Sequence, residues 1–208
     1  MRLPLRFLKE RMKGENKMKI YYTDQTGTFF REHKDFLDRR IFRKFDTEEK
    51  EWKYADWKEH KDQITEVEEP QASAQLQAYI FDHLDHRKLN HFIDLLCRNR
   101  KTEWHPMEKR NDGVYVMGYP RYPDGLFDIF DFLGHDYDYR FTMEDWPENL
   151  LPTDMNLWQI QTALTYLARA ERFCTGAIAG AMDDGTLLKL LLRLEDLLNA
   201  HEGKTKHW

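Results

Sequence analysis

The stretch RAERFCTGAIAG, residues 169–180, determines how the C-terminal half of this chain is predicted to fold. It lies in a run of helical spacing that begins at Leu157 and is stopped by DDG at residues 183–185. At 100° per residue, one side of this helix is an apolar stripe, made up of Ile160, Leu164, Leu167, Cys174, Ile178 and Ala181. The opposite side consists of Trp158, Thr162, Thr165, Arg169, Arg172, Gly176 and Gly180.

The two glycines on the arginine side predict a close approach by another part of the molecule or by a ligand. A glycine inside a helix costs about 1 kcal/mol relative to alanine, so a solvent-facing side should avoid it. The aromatic segment 124–133 is the expected neighbour. We therefore expect a recess lined by Arg169, Arg172 and Gly176, where guanidinium groups offer charge-assisted hydrogen bonds to a carboxylate or phosphate.

Glu171 is the second anomaly, because it falls on the apolar stripe. A carboxylate in such a place must find a partner or lose its charge. The expected partner is Arg193, in a structural ion pair that fixes the order of the helices. A catalytic carboxylate, or an exposed one on a bent helix, remains an alternative.

Composition places the chain among globular proteins and excludes some functional classes. Its 208 residues are 33% charged, 41% hydrophobic and 14% aromatic, with a formal net charge of −5. That charge gives no global basic field to attract nucleic acid. No apolar run approaches the roughly 20 residues of a membrane span. Cys97 and Cys174 lie in apolar helical runs and are expected to be reduced core thiols of a cytoplasmic protein.

The first 17 residues differ from the rest of the chain. They carry six Lys or Arg against two Glu, without the apolar core of a signal peptide. Two interpretations are kept: a translated leader ahead of a start at Met18, or a disordered basic arm. The final residues, 202–208, are expected to be a disordered tail.

Residues 18–89 are predicted to form a small N-terminal unit with a hairpin and a helix. A short strand over 18–24 is followed by a turn. Residues 39–57 fit a helix or a hairpin, and we favour the hairpin because the alternating aromatic residues suit a pleated surface. Helical spacing then runs from Ala72 to about Asn99, with a break near Asp85. With a helical domain over 90–201, the fold class is α+β and predominantly α-helical.

The C-terminal part resembles a bacterial and phage domain of unknown function. The family signature runs Arg-x-x-Arg-Phe-x-x-Gly, then a spaced Gly, then Leu-x-Arg-Leu. The matching residues are Arg169, Arg172, Phe173, Gly176, Gly185, Leu191, Arg193 and Leu194. Residues 112–133 and the pair Asp145 and Trp146 also look like elements of that family, so the resemblance covers about residues 90–200.

The resemblance implies no activity that can be transferred. The candidate ligand- or partner-binding residues combine the expected recess with the elements that look like those of the family: Asp145, Trp146, Arg169, Arg172, Phe173 and Gly176. The setting of the family in phages and mobile elements suggests an accessory or anti-defence role.

A weaker candidate site is a polar stripe in the segment FDHLDHRKLNHFID, residues 81–94. It consists of His83, His86, Asn90 and Asp94. Two histidines three residues apart can share a metal, yet the helical zinc-protease spacing is missing. A solvated face is the alternative explanation, and no cofactor is expected.

Two charged clusters complete the candidates. The acidic residues Asp124, Asp128, Asp131, Asp136 and Asp138 are explained as a solvated helix face, as a divalent-ion site, or as partners of Arg169 and Arg172. The basic stretch DRRIFRKF combines cations with aromatic rings, as single-strand nucleic-acid sites do. Its relevant residues are Arg39, Arg40, Phe42, Arg43, Lys44 and Phe45.

The function expected from these observations is an intracellular, non-enzymatic binding or regulatory protein that acts through a protein partner. Two alternatives stay open. One is a small metal-assisted hydrolase or nuclease that uses His83, His86 and nearby carboxylates. The other is a nucleic-acid-binding protein that uses the basic stretch.

Overall fold

The computed structural model describes residues 19–34, 39–139, 143, 147 and 149–203. The chain divides into two compact units. Described residues of the first unit lie within 19–84 and 133–143, and those of the second within 85–132 and 147–203. The proposed leader, residues 1–17, and all but two residues of the expected tail lie outside the described residues.

The first unit is built on a five-stranded antiparallel sheet with strand order β4-β3-β2-β1-β5. The strands are β1 (Ile20–Asp24), β2 (Phe29–Lys34), β3 (Arg40–Asp46), β4 (Glu51–Tyr54) and β5 (Ile64–Val67). The short helix α1 (Trp57–His60) and the longer α2 (Glu69–Asp82) belong to the same unit. The sheet confirms the hairpin over 39–57, since β3 and β4 pair antiparallel with Phe45 opposite Trp52.

Aromatic residues are buried on both faces of this sheet. On one face, Phe30 and Phe42 stack with ring centroids 5.4 Å apart, and Trp57 of α1 meets Phe42 edge-on at 5.0 Å. On the other face, Phe45 and Trp52 make an edge contact at 5.2 Å. Burial on two sides explains why the strand β3 places apolar residues three positions apart instead of two.

The charged centre of the first unit is the Asp138 carboxylate. It accepts hydrogen bonds from Arg31 at 2.7 Å and from Arg43 at 2.8 and 2.9 Å, and His33 Nε2 lies 3.4 Å away. Arg31 also lies over the Trp52 ring, 4.7 Å from its centroid. Arg31, His33 and Asp138 are all buried, so this carboxylate fixes the segment 133–139 onto strands β2 and β3.

The second unit is mainly helical. Its helices are α3 (His86–Arg98), α4 (Asp128–Asp131), α5 (Leu157–Glu171), α6 (Ala177–Asp183) and α7 (Thr186–His201), with a 3-10 turn at Pro152–Asp154. Two antiparallel ribbons accompany them. One pairs β6 (Glu103–His105) with β9 (Tyr119–Arg121), and the other pairs β7 (Glu108–Lys109) with β8 (Tyr115–Val116).

Local sequence signals account for where these helices start. Asp85 caps α3 by accepting from the amides of Arg87 and Lys88, which confirms the predicted break. Asn156 and Gln159 form a capping box at the start of α5. With helices in both units and a five-stranded sheet in the first, the α+β class is confirmed. No helix within the described part of the chain is long and apolar enough to cross a membrane.

The prediction of one continuous helix from Leu157 to about residue 182 is wrong. Helix α5 ends at Glu171, and α6 starts only after Gly176, whose φ of +95° is left-handed. The sides assigned beyond residue 171 therefore fail. Cys174 is exposed instead of buried, and so is Cys97 of α3, which corrects the expectation of two core thiols.

Helix α5 is also buried on the side that was expected to face away from the core. Thr162 and Thr165 are almost fully buried. Their hydroxyls donate to the carbonyls of Trp158 and Gln161, four residues earlier. A buried hydroxyl with such a partner keeps its hydrogen bond, so polar residues at these positions do not indicate exposure.

Candidate functional site

The candidate site is organised by the turn between α5 and α6, residues 172–176. Glu171 holds this turn from its N-terminal side. Its carboxylate accepts from the amide of Gly176 at 3.0 and 3.1 Å and from the amide of Ile178 at 2.9 Å. Amides in the first turn of a helix have no partner within that helix. The last residue of α5 thus caps the start of α6.

Tyr122 locks the same carboxylate from outside the helix pair. Its hydroxyl donates to Glu171 Oε1 at 2.8 Å and accepts from the Ala179 amide at 3.3 Å. Burial raises the pKa of Tyr122, and the hydrogen bond to Glu171 and the charge of Glu171 raise it further. The hydroxyl therefore stays protonated and remains a donor at neutral pH.

Trp104 of β6 packs on the far end of the turn. A Cβ atom added to Gly176 would lie only 2.5 Å from Cη2 of the Trp104 ring. Only glycine combines the left-handed φ with this contact. The predicted close approach at Gly176 is confirmed, but the neighbour is Trp104 instead of the expected aromatic segment 124–133. Gly180 lies half-buried within α6.

The turn exposes an aromatic ring and a cation. Phe173 is 85% exposed, and 49% of Trp104 is exposed. Arg172 is also exposed, and its guanidinium has no hydrogen-bond or ion-pair partner among the described residues. We call Arg172, Phe173 and the exposed part of Trp104 the turn surface. Arg169, in the last turn of α5, is half-buried and so is less exposed to solvent than Arg172.

The expected pair of Glu171 and Arg193 is not formed. Glu171 is occupied by the three donors described above. Arg193 donates from Nε to the carbonyl of Met155, 2.9 Å away, and so supports the end of the 3-10 turn. The break in the helix explains the difference. In a continuous helix the amides of Gly176 and Ile178 would donate to backbone carbonyls of the helix, whereas at the break they donate to Glu171.

Other predicted contributors are placed elsewhere or are not described. Asp145 and Trp146 lie outside the described residues. Asp138 pairs with Arg31 and Arg43. Asp124 and Asp128 are exposed, as a solvated helix face would be.

The metal alternative gains no site from the structure. Within the described ranges, no group of three or more His, Cys, Asp or Glu residues could hold a metal ion. His83 stacks on Tyr79 and its Nδ1 lies 2.8 Å from the Tyr79 carbonyl oxygen. His86 lies 2.8 Å from Glu202, and Asp94 lies 3.6 Å from Arg98. These side chains have separate partners and do not converge.

The nucleic-acid alternative loses its aromatic platform. Phe42 and Phe45 are each only 3% exposed, so neither ring can stack on a base. Arg43 is bound to Asp138, and Arg40 pairs with Glu32 and lies over the Trp57 ring. Arg40 and Arg43 therefore already form ion pairs with carboxylates of the same unit.

Sequence reasoning missed Trp104 and Tyr122 as parts of the site. Tyr122 lies in the segment that resembles the family, which was the available signal. Its contact with Glu171 spans 49 residues of chain, and no local pattern reveals such a pairing.

A family model described as "Family of unknown function (DUF6508)" matches residues 81–200. The matched range includes Trp104, Tyr122, Glu171 and the whole turn surface. No curated protein and no solved structure matches.

Proposed function

The chain belongs to the DUF6508 family of unknown function, and from that premise we propose that it is a non-enzymatic binding protein that captures a protein partner at the turn surface. The observation that carries this proposal is Phe173, an aromatic ring 85% exposed on a turn that is held at both ends. Solvent exposure alone is common for apolar side chains. Here, however, Glu171, Tyr122 and Trp104 all fix the backbone that presents the ring.

The chemistry of the turn surface indicates what kind of partner segment it fits. Trp and Arg are enriched among the residues that dominate binding energies at protein interfaces, and aromatic residues are enriched in interfaces generally. Phe173 offers a ring to an apolar side chain, and Arg172 offers a bidentate donor to a carboxylate. The proposed partner therefore presents an apolar anchor next to an Asp or Glu.

The proposed setting rests on the family resemblance alone. We propose a cytoplasmic protein encoded by a phage or mobile element, with an accessory or anti-defence role. The identity of the captured partner tests this part separately. A partner without any connection to host defence would remove the anti-defence role and leave the binding function in place.

The central test replaces the exposed ring. Phe173→Ala is expected to weaken binding of the captured partner roughly 30-fold, as the loss of an interface hot spot of about 2 kcal/mol would. The melting temperature should hardly change, because the ring has few contacts to lose. The partner is captured from host lysate with wild-type protein, identified, purified and titrated against both chains.

The matched control is Tyr54→Ala, which removes another strongly exposed aromatic ring, in the first unit. It should leave partner binding unchanged. A photo-crosslinking residue placed at 173 should attach to the partner, whereas one placed at 54 should not. Equal binding by wild-type and Phe173→Ala proteins would show that the turn surface is not the binding site.

Arg172→Ala is expected to weaken the same complex about tenfold, in line with a charge-assisted hydrogen bond of roughly 1.5 kcal/mol. Added salt should weaken wild-type binding more than binding of the variant, because the variant lacks the screened charge. Arg100→Ala removes another exposed arginine of the second unit and serves as the control. A large fall in melting temperature on Arg172→Ala would instead make this arginine structural.

A further inference from the structure

The hairpin of β7 and β8 carries an apolar run that the turn surface does not explain. Val114, Tyr115, Val116 and Met117 follow one another and are all between 40% and 74% exposed. Side chains of a strand alternate between its two faces. Because all four side chains are exposed, both faces of β8 are open to solvent. A hairpin that packs one face against the protein would instead bury every second side chain.

The two edges of this hairpin differ in charge. The β7 strand and the residue after it carry Glu108, Lys109 and Arg110. Charges of this kind on an edge strand prevent pairing with other chains. The stretch 113–118 on the β8 side carries no charge and no proline. The hairpin thus protects one edge and leaves the other open.

Backbone geometry shows which groups that open edge presents. The Arg110 amide donates to the Val114 carbonyl at 2.8 Å, and Tyr115 lies opposite Lys109 in the ladder. Pairs in an antiparallel ladder alternate between hydrogen-bonded and non-hydrogen-bonded. Tyr115 is therefore in a non-hydrogen-bonded pair, and its N–H and C=O point away from β7 and out of the hairpin.

We infer that β8 pairs antiparallel with β8 of a second copy of this chain, forming a four-stranded sheet across a two-fold axis. In the symmetric register centred on Tyr115, that residue faces Tyr115 of the second copy and exchanges both backbone hydrogen bonds with it. Val114 then faces Val116 of the other copy. Aromatic and β-branched pairs of this kind are those that stabilise sheets.

The arrangement of charge selects a second copy as the occupant of this edge. In the four-stranded sheet, each cross-strand row has apolar side chains at its centre and a charged residue of β7 at its ends. Lys109, which already lies 5.4 Å from the Tyr115 ring centroid, would flank the tyrosine pair from each side. No like charges meet at the junction, and a closed two-fold pairing is the commonest form of association.

The first test is the oligomeric state of the full chain, measured by sedimentation velocity over a range of protein concentrations. Wild-type protein should sediment as a dimer, and Tyr115→Lys should be a monomer because it places two lysines opposite each other at the axis. Tyr54→Lys introduces the same change on β4, an edge strand of the five-stranded sheet, and should leave the dimer intact.

The second test does not depend on disrupting the protein. In a chain carrying Cys97→Ser and Cys174→Ser, Tyr115→Cys should form a disulfide-linked dimer on mild oxidation, whereas Tyr54→Cys should not. A wild-type monomer at all concentrations, or a dimer that survives Tyr115→Lys, overturns the inference. So does equal cross-linking at positions 115 and 54. Phe173→Ala should remain a dimer. Failure of the proposed dimer can therefore be distinguished from failure of the proposed binding function.

Discussion

Replacing Asp138 by asparagine is expected to lower the free energy of unfolding of the first unit by about 3–5 kcal/mol, the typical cost of removing one partner from a buried ion pair. The carboxylate is the common acceptor for Arg31 and Arg43, and its own side chain is only 6% exposed. Asparagine has the same shape but no charge, and its amide group would point a donor at one of the two guanidinium groups. Arg31, which is almost fully buried, would lose this ion-pair partner.

The same carboxylate makes the stability of this unit depend on pH at the acid end. Burial would raise the pKa of Asp138, but the His33 imidazole, the Arg31 charge and the hydrogen bonds from Arg43 outweigh burial and lower it far below the usual 3.8. In the unfolded chain the carboxyl group has its ordinary pKa. Its contribution to stability is therefore complete above that value and is lost as the pH falls from it toward the folded-state pKa. Asp138→Asn should lack this part of the acid dependence.

Chemical denaturation measures the change in unfolding free energy, and hydrogen exchange of peptides from β2 and β3 locates it. Asp62→Asn is the control, since Asp62 is exposed in the same unit. It should change stability by no more than about 0.5 kcal/mol. Denaturation midpoints that coincide for wild-type and Asp138→Asn proteins would show that the Arg31 and Arg43 charges are balanced by other groups.

The parts of the fold that the sequence predicts are those with local causes. Asp85 and Asn156 cap helices with amides two or three residues away, and the pairing of Phe45 with Trp52 closes a short hairpin. Each of these contacts joins residues fewer than ten positions apart. Hydrophobic pattern and capping preferences act over the same distances, so they identify such elements without knowledge of the tertiary structure.

The contacts that shape the turn between α5 and α6 could not be predicted from the sequence, because they are long-range. A helical projection does not predict that the segment 172–176 is non-helical, because the spacing of the two glycines also fits an uninterrupted helix. The turn is stabilised by Tyr122 and Trp104, which lie 49 and 72 positions before Glu171 and Gly176. Likewise, Asp138 pairs with Arg31, which lies 107 residues earlier in the chain. Neither the acidic cluster nor the basic stretch predicts this pairing.

Glu171→Gln is expected to destabilise the second unit by about 2 kcal/mol, because it leaves partly buried hydrogen-bonding groups unsatisfied, each near the low end of the roughly 1–3 kcal/mol for a buried group. Both carboxylate oxygens of Glu171 accept hydrogen bonds from donors. Whichever way the glutamine amide is turned, its NH₂ group faces an N–H or the Tyr122 hydroxyl. Thermal unfolding measures the loss, and Glu195→Gln on α7, a half-buried glutamate, should change stability far less.

The same substitution connects the stability of the turn to the proposed binding function. Well below its unfolding midpoint, the Glu171→Gln protein still has Phe173 and Arg172 but no longer has the carboxylate that fixes the backbone presenting them. A flexible ring must be ordered on binding, at about 0.5–1.5 kcal/mol per immobilised side chain. Partner affinity should therefore fall about tenfold at a temperature where the protein remains folded. If the Glu171→Gln protein is measurably destabilised but its partner affinity is unchanged, the hydrogen bonds of Glu171 stabilise the fold and do not contribute to binding.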